Sequence, residues 1–233
     1  MNWKLFFQLF LSFILFTIIG TLTHEYGHYV AGKMVGIKSS IHFNYTVTEY
    51  DPSSTELLDI YKTYKNQIDN KQIFPLKDKF EFLQASTWRK NLYFIMGGPL
   101  QTMLTGTIGL LLMIFYRKSF FKAFRLNIQQ WILIFFTLFW LRELANCVVM
   151  IAMLLFTSKR EFGSDEVKIA EYLGLHFTSV TFITAFLALI IALIVTFFFV
   201  PPTQRKTFTA AGFAGGVTGY ILWLYILGPI ILP

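Results

Sequence analysis

Apolar residues are gathered into five runs along the chain, and polar residues into the short connections between them. The runs cover residues 6–22, 92–116, 128–156, 177–200 and 208–232. Each approaches or exceeds the roughly 20 residues of helix needed to cross a hydrocarbon core. The first has no proline or turn cluster after Leu22 and continues as one helical stretch through His24 to Ala31. Pro201-Pro202 separates the last two. The pattern predicts an all-α polytopic membrane protein of about five transmembrane helices, with residues 1–233 forming a single membrane domain.

One sizeable polar segment, residues 37–90, is inserted between the first and second spans. It opens with alternation: Ile41, Phe43, Tyr45 and Val47 interleave with His42, Asn44, Thr46 and Thr48. That period of two predicts a short membrane-associated hairpin or edge strand. From Ser53 onward apolar residues are scattered among charges, so that an amphipathic helix on the membrane surface and a loop both remain open. The fifth run carries Gly212/Gly216 and Gly215/Gly219 at the spacing that lets helices approach closely, within one subunit or between two. The oligomeric state stays open.

Composition supports the same class. The chain is 55% hydrophobic and 14% charged, against roughly 25% charged in soluble domains. Its formal net charge of +7 does not point to nucleic acid, because the basic residues flank the spans, where membrane topology accounts for them. Lys4, Arg117, Lys118, Lys122, Arg125, Arg205 and Lys206 fall on one side, while Lys33, Lys38, Arg89 and Lys90 fall on the other, so charge does not orient the protein. Lys4 before an apolar run also suits a cleaved leader, but cleavage near Gly20 would leave His24 at a raw terminus, so the run is read as a span. The single cysteine, Cys147, excludes an intrachain disulfide.

The chemistry concentrates at the end of the first span, in His24-Glu25-Tyr26-Gly27-His28. Residues four apart on a helix share a face, so the two imidazoles can each give a nitrogen to one tetrahedral Zn²⁺. Glu25, next around the helix, can take a proton from water and return it to a leaving amine. Ionisable residues at a bilayer centre each cost about 2.5–3.5 kcal/mol, less near the interface. Two of the chain's four histidines fall at this spacing; His42 and His176 read as interfacial polar residues.

From His24 to Ile37 the sequence resembles the site-2 protease family of intramembrane zinc metalloproteases. The match comprises His24-Glu25-Tyr26-Gly27-His28, the small residues after it and Gly36 eight positions on. The alternating stretch Ile41 to Thr48 is similar to the family's membrane-associated strand segment. Gly98-Pro99 is similar to its Gly-Pro, although Thr102 stands where the family has Asn. The resemblance implies a third zinc ligand, an Asp within Leu-Asp-Gly. This chain lacks those words, and the nearest equivalent is Gly163-Ser164-Asp165-Glu166, just after the third span.

Topology is consistent with that assignment, since five spans put the motif end of the first and the Asp165 loop on the same side. Asp165 is therefore read as the third ligand, with Glu166 and Glu143 as alternatives. Glu143 lies deep in the third span beside Arg142, which offers a partner for it. Asn146 in the same span either orients the substrate backbone or makes a helix–helix hydrogen bond.

The function implied is hydrolysis of a peptide bond in or next to a transmembrane segment of a protein substrate within the lipid bilayer. A non-proteolytic member of the same fold, acting as a membrane binding or scaffold protein, is the alternative.

Overall fold

The computed structural model describes residues 2–49, 52–157 and 163–233. The chain is an all-α polytopic protein with a small two-stranded sheet. Among the described residues five helical stretches are long and apolar enough to cross a membrane: Trp3–Met34, Lys77–Phe115, Ile128–Phe156, Ser179–Phe199 and Pro202–Ile231.

The first stretch is helix α1 (Trp3–Met34), capped by the Asn2 side chain, which accepts from Leu5 N at 3.1 Å. Its other end is closed by Gly36, whose positive φ of 79° lets the chain reverse while Ile37 N donates to Gly32 O at 2.8 Å. That reversal returns the chain toward α1 and leads into β1 (Ser39–Ile41) and β2 (Thr46–Thr48), paired antiparallel with Ile41 opposite Thr46. The alternating run is thus a hairpin folded at residues 42–45 and not one extended strand. Its tip is pinned to the far end of the chain, with Phe43 N donating to Leu232 O at 3.0 Å and Trp223 Nε1 donating to Phe43 O at 2.8 Å. The motif end of α1 and the end of the fifth stretch therefore lie on one side, as five crossings require.

The polar insertion resolves into helix. Helix α2 (Pro52–Asp69) packs against the first turns of α3 (Lys77–Phe115), enclosing Ile60, Phe74, Phe80 and Leu83. Because α3 begins at Lys77, it runs for roughly 22 Å before its apolar part starts, at 1.5 Å per residue. Helix α4 (Arg117–Lys122) then joins it to the third stretch.

That stretch is interrupted, although its sequence reads as one apolar run. Helices α5 (Ile128–Thr137) and α6 (Leu141–Phe156) are separated by a 3₁₀ turn at Leu138–Trp140. The cause is local packing. The Trp140 ring sits where a side chain on Gly106 would be, its Nε1 donates to Thr107 Oγ1 at 3.3 Å, and Gly109 admits the Thr137 backbone. Arg142 and Glu143 follow this turn directly. The short helix α7 (Asp165–Tyr172) then leads to α8 (Ser179–Ile194), and α9 (Pro202–Ile221) and α10 (Gly228–Ile231) complete the fifth stretch.

Phenylalanines fill the core between α1, α5 and α9. Phe13 meets Phe135 edge-on at 4.9 Å and Phe208 at 5.5 Å, while Phe16 stacks on Phe135 at 4.7 Å. The glycines of α9 are used inside this chain: Gly212 faces Phe13, Gly215 faces Phe10 and Phe13, and Gly219 faces Ile14 and Thr17. Gly216 alone of the four has open space around it.

Candidate metal centre

The two histidines sit where α1 crosses α3 at backbone contact. A Cβ on Gly27 would stand 2.5 Å from the Gly97 carbonyl oxygen, so the glycine inside the motif exists to let the helices touch. This closeness brings α3 against the imidazoles. A Cβ on Gly98 would stand 2.5 Å from His24 Nε2 and press equally on His28 Nε2. The space the two rings share is therefore bounded by a residue with no side chain.

Both rings are fixed by bonds at Nδ1. His28 Nδ1 lies 2.9 Å from Phe94 O, a pure acceptor, so Nδ1 carries the proton and Nε2 is left with its lone pair. His24 Nδ1 lies 2.9 Å from Thr102 Oγ1, which itself donates to Gly98 O at 3.1 Å and so accepts from the ring. The same tautomer follows for His24. Both Nε2 lone pairs then point inward, 3.2 Å apart.

Asp165 completes the group. Its Oδ2 lies 3.0 Å from His24 Nε2 and 3.1 Å from His28 Nε2. It is the first residue of α7, and α7 is held against the spans at three places. Asn146 Nδ2 donates to Glu166 Oε1 at 3.0 Å, Val167 packs on Met150, and Tyr172 meets Trp88 at 5.8 Å between ring centres. With 22% of its side chain exposed, Asp165 is the accessible edge of an otherwise buried group.

Three acceptor atoms at mutual distances of 3.0, 3.1 and 3.2 Å repel one another unless a proton or cation stands between them. Ligand atoms about 2.0 Å from a tetrahedral ion are about 3.3 Å apart, so the triangle has the dimensions of one face of such a site. Glu25 also brings a carboxylate oxygen within 4.8 Å of both imidazoles, and His24, Glu25 and His28 could hold a metal ion. The Glu25 oxygens face elsewhere, however. Thr46 Oγ1 of β2 donates toward Oε2 at 3.0 Å and toward the Glu25 carbonyl oxygen at 3.1 Å, and Arg142 Nη2 lies 3.9 Å from Oε1. The closer approach of Asp165 makes it the better third donor.

Several sequence expectations meet a different arrangement. Arg142 makes its ion pair with Glu25, at 3.9 Å, while its charge also acts on neighbouring Glu143. Glu143 is fully buried and faces the Glu166 carboxyl, and neither touches the imidazoles. The Asn146 amide reaches Glu166, one residue from Asp165, in a contact between α6 and α7. His42 stacks on Tyr45 and His176 meets Phe177 at a tilt, neither of them among the residues around the two imidazoles.

Gly98 and Thr102 entered only as positions of the Gly-Pro resemblance, without a contact to the histidines, and Thr46 was not evident as a site residue. Thr102 had one signal, a polar side chain three residues after Pro99 in an apolar run. Thr46 had none beyond its place in the alternating stretch. No family model, curated protein or solved structure matches the chain.

Proposed function

We propose that the protein is an intramembrane zinc metalloprotease, similar to the site-2 proteases, that hydrolyses a peptide bond in or beside a transmembrane segment of another protein. The observation that carries the reading is the convergence of His24 Nε2, His28 Nε2 and Asp165 Oδ2 within 3.2 Å, with Glu25 beside them and not among them. Two nitrogens and a carboxylate oxygen on a tetrahedral ion leave one position open, which is the donor set of catalytic rather than structural zinc. When bound, zinc supplies the Lewis acidity that acidifies water and polarises a carbonyl.

The chain's own residues do the rest. Phe94 O and Thr102 Oγ1 fix the histidine tautomers, so that both Nε2 atoms remain ligands. Glu25 takes the proton of the attacking water as its oxygen bonds to the scissile carbonyl carbon. It returns that proton to the amine nitrogen as the C–N bond breaks. The Thr46 hydroxyl holds Oε2 in place and leaves the second lone pairs of the carboxylate for that transfer.

A helical substrate hides its amides in hydrogen bonds and has to unwind to be cut. The short strands β1 and β2 lie beside Glu25 and offer an edge on which an extended segment can pair. The site opens at Asp165, on the side where α7 and the hairpin lie, so water reaches it without crossing the bilayer.

The test is cleavage in lipid nanodiscs of a poly-leucine transmembrane peptide interrupted by Gly-Pro. Purified protein is expected to cut it, to lose activity with 1,10-phenanthroline and to regain it with added zinc. Activity indifferent to the chelator would reject the metal mechanism.

A further inference from the structure

We propose that Arg142 is a catalytic residue that binds the carbonyl oxygen of the scissile peptide as negative charge develops on it. This rests on the metalloprotease reading. Arg142 stands in the first turn of α6, directly after the 3₁₀ turn that interrupts the third span. An arginine inside an apolar span is costly, and such residues are kept where they face a partner or a polar path. Its carboxylate partner among the described residues is Glu25, at 3.9 Å. That is an ion-pair distance but too long for a hydrogen bond.

The guanidinium keeps its Nε donor unused. Its Nε is buried and has no hydrogen-bond partner, although burying an unsatisfied donor carries a penalty that folding avoids elsewhere. A buried guanidinium donor left unused beside a general base is a site awaiting an acceptor.

Thr46 occupies one oxygen of Glu25 and Arg142 flanks the other. A water activated by that carboxylate would therefore have the guanidinium beside it. A carbonyl carbon attacked by that water places its oxygen within reach of Arg142. As the water oxygen bonds to carbon, the C=O π electrons move to the carbonyl oxygen, and the charge meets donors already in place, away from bulk water. When the C–N bond breaks, the electrons return to the carbonyl and the Glu25 proton goes to the leaving nitrogen. Arg142 gains and loses no proton in the cycle.

The competing role is positioning, in which Arg142 acts only by holding Glu25 ionised. The two roles differ in observable ways. Arg142→Gln and Arg142→Lys proteins in nanodiscs are compared with wild type on the poly-leucine peptide with its central Gly-Pro. A phosphinic pseudopeptide of the same sequence serves as the tetrahedral mimic.

An oxyanion donor predicts that Arg142→Gln lowers kcat by about 10²–10³ at every pH, with KM little changed and zinc content intact. Inhibition by the phosphinic mimic should weaken by the same factor as kcat/KM, and Arg142→Lys should fall between the two. Unchanged kcat overturns the proposal. So does a loss confined to the acidic limb of the pH profile, or an undiminished affinity for the mimic. Should Arg142→Gln lose zinc, Arg142→Lys carries the test on the same criteria. A wild-type protein that neither holds zinc nor cuts the peptide rejects the metalloprotease reading itself, a result distinct from an active enzyme indifferent to Arg142.

Discussion

The hydroxyl of Thr46 lies 3.0 Å from Oε2 and 3.1 Å from the backbone oxygen of Glu25, so that one side chain of the hairpin is tied to the residue between the two histidines. The strand segment is thereby part of the site's construction as well as a surface for an extended chain. Its single hydrogen is shared between the two oxygens, and the carboxylate is held without being consumed.

Thr46→Val keeps the shape of the side chain and removes the donor. A hydrogen bond to a charged group contributes about 1.5–3 kcal/mol, so kcat on the poly-leucine peptide should fall at least about tenfold with zinc retained. Thr46→Ser should stay near wild type. Equal activity in all three proteins would show that the contact has no part in turnover.

Thr102 holds His24 by its Nδ1, and outer partners of this kind typically change metal affinity by about 10–100-fold. Thr102→Val should weaken zinc binding by that order, read by competition with a chromogenic chelator. Thr102→Asn, which supplies a side-chain oxygen at the same place, should recover most of it.

Gly98 is the position where any side chain enters the space between the imidazoles. Gly98→Ala should abolish stoichiometric zinc, whereas Gly216→Ala, with nothing within 4 Å of its would-be Cβ, should bind zinc as wild type does. Metal analysis of both proteins separates a local collision from a general intolerance of added methyl groups.

The spans, the hairpin and the histidine pair were legible because each depends on local order in the chain. Apolar runs and a spacing of four lie within one element, and the alternation of eight residues covers only a local strand, turn and strand. Asp165 was legible only through the family resemblance with topology as a check, since it meets the histidines across 137 and 141 residues of sequence. The partners of Glu25 were not legible at all. Thr46 reaches it because the alternating run folds back at residues 42–45, and Arg142 reaches it because a 3₁₀ turn interrupts α5 and α6. Neither event leaves a mark in hydrophobic periodicity. The close crossing at Gly27 and Gly97 is likewise a relation between two helices, although Gly27 sits inside the motif.

The third-ligand assignment sets Asp165 against Glu143, with Asn146 as a residue that touches α7 without being a ligand. Asp165→Ala should lose zinc and turnover together, while Glu143→Gln, whose side chain faces Glu166 and not the imidazoles, should keep both. Asn146→Ala should lower zinc affinity more mildly, because it loosens α7 without removing a ligand. Zinc content across the three proteins decides the assignment, and loss of metal in Glu143→Gln alone would move the ligand into the third span.

Glu25→Gln tests the central claim most directly, because it removes the proton acceptor and leaves His24, His28 and Asp165 in place. Zinc content and cleavage of the poly-leucine peptide are read on the same preparation in nanodiscs. The account predicts one zinc per chain in both proteins, with cleavage by Glu25→Gln reduced at least about 10²-fold, the contribution of a general base. Wild-type cleavage rates in zinc-loaded Glu25→Gln would contradict it.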